Sequence, residues 1–118
     1  MANNVESTKR ISVEMLVLAL LSEKDMYGYE MSQEIMERSG QVIFIPEGSL
    51  YITMYKLVDK GFISDRKELV GDRRSRVRVY YHIEESGKNY LQDVIDEYNR
   101  NTLGIQDFFD RSEMKLHG

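Results

Sequence analysis

From Arg76 to Ile83 the chain alternates two kinds of side chain: Val77, Val79, Tyr81 and Ile83 on one set of positions, Arg76, Arg78, Tyr80 and His82 on the other. A period of two belongs to a strand with one covered and one solvated face. This stretch is therefore read as a strand with apolar groups inward and cationic or polar groups outward. A strand needs a neighbour for its backbone groups. The segment from Phe62 to about Leu69 supplies one, because its β-branched and aromatic content also rises and Gly71-Asp72 offers a turn between the two. The pair reads as a hairpin.

The rest of the chain carries helical signals. Ser12 can cap a helix through Leu21, and the apolar run Met15 to Leu21 implies burial on several sides. Lys24-Asp25 breaks the pattern. A second helix is expected from about Tyr27 to Arg38, with Ser39-Gly40 as a left-handed stop. Gln41 to Ile45 reads as extended, Pro46 marks a third helix start, and Leu50, Met54 and Leu57 recur at helical spacing until Gly61. After Gly87, Leu91, Val94, Tyr98, Asn101, Ile105 and Phe108 follow steps of three and four, flanked by Ile95, Thr102, Phe109 and Leu116. This is a fourth, longer helix.

The order α-α-α-β-β-α makes the expected fold mainly α with a small β-hairpin: a winged helix-turn-helix plus a long C-terminal helix. At 118 residues with 42% hydrophobic side chains, and without repeats or glycine/serine linkers, the chain is read as one domain. Residues 1–10 are expected to be a flexible arm or the fraying start of a helix, 11–84 the winged helix-turn-helix, and 85–118 the C-terminal helix.

Chemistry is constrained by what is missing. There is no cysteine, which removes disulfides, thiolate metal sites and thiol nucleophiles, and which suits the cytoplasm. The longest apolar run, Met15 to Leu21, is roughly a third of a bilayer span, so neither a membrane segment nor export is expected. The histidines, His82 and His117, have no metal-ligand spacing, no glycine-rich phosphate loop occurs, and Asp93, Asp96 and Glu97 read as a solvated helix face. No catalytic residue, metal or cofactor is expected.

A net charge of −4 argues on its face against a polyanionic partner. The charge is segregated, however: Arg66, Lys67, Arg73, Arg74, Arg76 and Arg78 stand against only Glu68 and Asp72, while much of the acid lies between Asp93 and Glu113. In a winged helix the third helix enters the major groove and the hairpin flanks the backbone or minor groove. With Leu50, Met54 and Leu57 inward, Ser49, Ile52, Thr53, Lys56 and Lys60 are expected outward. Ser49 and Thr53 would bond phosphates or base edges, Tyr51 a phosphate, and Lys56 would add charge. Glu47 would accept from a cytosine amine or favour the helix N-terminus. Arg73, Arg74, Arg76 and Arg78 would contact the DNA backbone, and Tyr81 belongs to the core. Two blander readings stand beside these: polar residues that only solvate a helix and a hairpin tip, and a winged helix used for protein contact alone.

Four motifs, Tyr27-Gly28-Tyr29-Glu30, Gly48-Ser49-Leu50-Tyr51, Leu57 to Gly61-Phe62-Ile63, and Tyr80-Tyr81-His82-Ile83 followed by Gly87, occur in this order. Over about residues 13–90 the chain resembles the PadR family of transcriptional regulators. The resemblance implies a dimeric winged helix, usually a repressor, of the branch in which one long C-terminal helix makes the dimer contact. It departs from the family pattern at Ile52, where proline is common, at Glu84, where threonine is common, and at Val77 and Val79, which interrupt a basic run. Partners implied are double-stranded DNA with inverted half-sites and a second copy of the chain. The second copy would be held through Leu91, Val94, Tyr98, Ile105 and Phe108, a stripe that Ile95, Thr102, Phe109 and Leu116 widen beyond what one neighbour usually buries; the alternative is that this helix folds back on its own three-helix core. A small hydrophobic or aromatic effector could lie near Met15, Val94, Tyr98 and Phe108, although such residues are more often plain interface core.

Overall fold

The structure, a computed structural model, describes the backbone of residues 4–71 and 76–115 and the side chains of those from Val13 onward. Helix α1 spans Asn4–Leu21, strand β1 Met26–Tyr27, helix α2 Gly28–Arg38 and helix α3 Glu47–Asp59. Strands β2 (Ile63–Val70) and β3 (Arg76–Ile83) and helix α4 (Glu85–Asp110) complete the order. The sheet is antiparallel with β3 in the middle, in the order β1-β3-β2. This is the expected winged helix-turn-helix followed by a long helix.

Two boundaries differ from the sequence reading. Helix α1 begins at Asn4, well before the expected cap at Ser12, so residues 4–10 take the second of the two forms expected of them, the start of a helix rather than an arm. The strongly apolar turns from Val13 to Leu21 anchor the helix, and extending an existing helix costs far less than nucleating one. The second difference is β1, where Met26 pairs with Tyr81 and Tyr27 with Tyr80. A two-residue strand carries no period to detect.

The core is built where α1 meets the other elements. Val17 and Leu18 of α1, Met31 of α2 and Met54 and Leu57 of α3 are fully buried, and Ile63, Tyr81 and Ile83 close it from the sheet. Tyr81 thus lies in the core, as its place in the alternation requires. Val77 does not: it is 57% exposed, and so is its cross-strand partner Leu69, at 73%. An eight-residue strand reaches roughly 26 Å. Only its C-terminal half lies over helices, and the outer half projects as a wing.

The turn from α3 into the sheet is a Schellman stop. Gly61, at φ 78, sends its N–H to the Val58 carbonyl at 2.9 Å while the Phe62 N–H reaches the Leu57 carbonyl at 3.0 Å. Phe62 then stacks on Tyr90 of α4, with ring centroids 4.3 Å apart. The Tyr90 hydroxyl donates to Glu14 Oε1 of α1 at 2.6 Å. Burial, reinforced by this carboxylate, pushes the Tyr90 hydroxyl pKa up. Since Glu14 is itself only 8% exposed, Tyr90→Phe strands a buried acceptor and is expected to lower stability by about 1–3 kcal/mol in urea unfolding. The double variant Glu14→Leu with Tyr90→Phe, which removes both polar partners, is expected to recover most of the loss.

Candidate nucleic-acid interface

Helix α3 follows Pro46, whose fixed φ of −59 sets the chain up for a helix, and Glu47 stands in its positive first turn. Its inner side carries Leu50, Met54 and Leu57. Thr53 joins them at 9% exposure, which corrects its expected place at the DNA surface. The reason is geometric: three residues after Leu50 and four before Leu57, Thr53 falls on the same arc of the helix. Ser49, Tyr51 and Lys56 are exposed as expected. So are Ile52, at 58%, and Tyr55, at 73%. Tyr55 is absent from the residues expected at this surface, although its position opposite Leu50 on a helical wheel places it outward.

Tyr51 is held from the side. A Cβ built on Gly28, the first residue of α2, would lie 3.0 Å from the Tyr51 hydroxyl and 3.2 Å from the ring. Only glycine lets α2 and the Tyr51 ring approach this closely. The motif residues Gly28 and Tyr51 therefore meet in space, and the ring is fixed at the rim of the exposed helix face.

The wing takes its polarity from the strand register. Arg66 pairs with Tyr80, Glu68 with Arg78 and Val70 with Arg76, so these residues share one face with His82. Lys67 lies on the other face with Leu69, Val77 and Val79. Near the foot of the wing the cations are tethered. The Arg78 guanidinium sits 4.1 Å from the centroid of the Tyr27 ring, which meets Tyr80 edge-on at 5.4 Å. Arg66 lies 5.3 Å from the Tyr80 ring, bonds Glu68 at 2.7 Å and reaches Asp25 at 2.5 Å. Asp25 also meets His82 Nδ1 at 2.8 Å. The hydrogen bond with His82 and the neighbouring Arg66 hold the Asp25 carboxyl below its ordinary range. Arg66, with acid on two sides, serves the joint between β1 and the hairpin, whereas Arg76 is exposed nearer the tip. Arg73 and Arg74 lie outside the described residues.

The stripe on α4 divides. Val94 is 3% exposed and Leu91 packs on the core of its own chain, which corrects their expected role as interface surface. The far half is uncovered: Tyr98 is 41% exposed, Ile105 56%, Phe108 66% and Phe109 51%. In the expected effector site, Met15 is half-buried and Val94 buried. Phe108 stands roughly 15 Å beyond Tyr98 along the helix, so within one chain the four residues do not line a common pocket. Leu116 is outside the described residues.

Among the described residues, no cluster of three or more histidine, cysteine, aspartate or glutamate side chains is arranged to hold a metal ion. No helix among them is long and apolar enough to cross a membrane.

Comparison with known proteins agrees with this geometry. A family model described as "Transcriptional regulator PadR-like family" matches residues 17–93. The chain is similar to a transcriptional regulator from Clostridium thermocellum, with 30% identity and a TM-score of 0.76 over 84% of this chain and 94% of that one. It is 30% identical to the negative transcriptional regulator PadR of Bacillus subtilis over 79% of its own residues, spanning 50% of that protein's length. The structure of Bacillus subtilis PadR in complex with operator DNA superposes with a TM-score of 0.64 and 27% identity, covering 71% of this chain and 46% of that one.

Proposed function

Because the chain belongs to the PadR-like family of transcriptional regulators, we propose that it is a sequence-specific DNA-binding repressor that acts as a homodimer in the cytoplasm. The observation that carries the DNA-binding reading is the pairing of an exposed α3 face, with Ser49, Tyr51 and Lys56, and a wing whose Arg76 and Arg78 share one face. The similarity to Bacillus subtilis PadR, seen on operator DNA, supports the same assignment. In this reading residues 11–84 hold the duplex. Residues 85–118 join two copies through the uncovered apolar half of α4. Two-fold pairing sets two α3 helices on successive turns of the duplex and gives the operator inverted half-sites.

The wing is tested by its counterions. Each phosphate that a side chain no longer neutralises takes about 0.9 off the slope of log affinity against log salt. Arg76→Ala with Arg78→Ala is therefore expected to weaken binding to every duplex and to flatten the slope by about two per chain, as read by fluorescence anisotropy between low and moderate salt. An unchanged slope would take the wing out of the mechanism. A small apolar effector fits this reading only between copies, with Met15 and Tyr98 of one chain near Phe108 of the other. Failure of small aromatic compounds to shift the melting temperature or to release DNA would remove it.

A further inference from the structure

The exposed face of α3 is unusual in what it offers a base pair. Between Glu47 and Asp59 there is no arginine, asparagine or glutamine. These are the side chains, with lysine, that make the bidentate contacts to guanine and adenine in the major groove. Lys56 is the one cation in the helix. The middle of the face is instead apolar: Ile52 lies one turn after Gly48 and one turn before Lys56, and Tyr55 stands three positions on, the spacing at which helix side chains are neighbours. Both side chains stand open among the described residues.

We propose that Ile52, with Tyr55 beside it, reads the 5-methyl groups of thymines in the major groove. The proposal rests on the DNA-binding reading above. Charge selects the occupant: Lys56 lies one turn beyond Ile52, Lys60 one turn further along the same line, and Arg76 and Arg78 on the wing. Against Asp59, one turn beyond Tyr55, these four cations make a frame suited to a polyanion and poorly suited to a neutral apolar partner. Within the major groove the thymine methyl is the apolar feature of the base-pair edges, and it marks T·A and A·T pairs apart from G·C. A branched aliphatic side chain has no hydrogen bond to offer there. Its contribution to specificity is the contact it makes with that methyl and the water it excludes from it. Ser49 and Lys56, on either side, supply polar contacts that position the helix.

The experiment uses the full chain and a duplex selected with it from a random pool. Each thymine in a half-site is replaced in turn by deoxyuridine, which keeps the pairing and removes only the methyl. At one or two positions the dissociation constant is expected to rise about three- to tenfold, on the scale of one methyl withdrawn from an apolar contact. Ile52→Ala, a change at an exposed position that leaves the core intact, is expected to lose the same factor on the thymine duplex and to become indifferent to deoxyuridine at those positions. A wild-type protein insensitive to every deoxyuridine, or an Ile52→Ala protein as sensitive as wild type, overturns the inference while salt-dependent DNA binding stands. A chain that binds no duplex even at low salt overturns the DNA-binding reading and the inference with it.

Discussion

Replacing Ile105 and Phe108 together by aspartate is expected to yield a folded monomer whose affinity for its operator falls roughly 10²- to 10⁴-fold, the scale of losing the second of two linked contacts. Both side chains are more than half exposed in the single chain, at 56% and 66%. Their charge therefore does not enter the core, and the melting temperature at low protein concentration should stay near that of the parent. Sedimentation gives the mass and anisotropy the affinity. A dimer that survives with full affinity would place the interface elsewhere. Truncation at Glu85 is a different experiment. It removes Tyr90, Leu91 and Val94, which cover the core of their own chain, and is expected to unfold the protein rather than to separate two folded copies.

Gly87→Ala is expected to be the most damaging single-methyl change, at about 3 kcal/mol or more, as for overpacking against a site that cannot relax. A Cβ at this position would overlap the Phe62 carbonyl oxygen and come 2.9 Å from Ile83 Cγ1. The carbonyl cannot swing aside freely, because it accepts the Glu84 N–H at 2.9 Å, and Phe62 is pinned by its stack on Tyr90. A fall in melting temperature of roughly 10 °C or more follows. Gly104→Ala in the same helix is the control, made in the monomeric Ile105→Asp, Phe108→Asp background because Gly104 lies one turn before Phe108. Among the described residues of the single chain nothing lies within 4 Å of its Cβ site, so there it is expected to gain up to about 1 kcal/mol of helix propensity. Equal effects at the two positions would refute the steric account.

The wing and the helix order are legible in the sequence because they rest on local periods: two along Arg76–Ile83, three and four along the helices. Differences arise where residue type speaks louder than position, or where a local period meets a tertiary limit. The hydroxyl of Thr53 suggests an outward place, although its angle on the helix neighbours that of Leu50. Tyr55 looks like a core aromatic, although its angle is opposite. Val77 obeys the alternation, yet the strand outruns the helices beneath it, and strand length against core width is not a local property. Leu91 and Val94 belong to one stripe with Ile105 and Phe108, but where a long helix leaves the body depends on how α1 packs. The joint between Asp25, Arg66 and His82 is beyond the reach of any local pattern, since it links residues that are 41 and 57 positions apart.

One chain of contacts runs from α3 to the wing. The Tyr51 ring of α3 lies against Gly28, the next residue back is Tyr27, and the Tyr27 ring carries Arg78 of β3. The two parts that would straddle a DNA strand are thereby set at one spacing before any duplex arrives, as the jaws of a gauge are set. A gauge does not adjust to the object measured. Wherever a site's groove width departs from that spacing, the duplex has to bend or narrow to fit, and the cost depends on base steps that no side chain touches. Flexible steps between contacted positions should then be favoured as strongly as some of the contacted bases themselves.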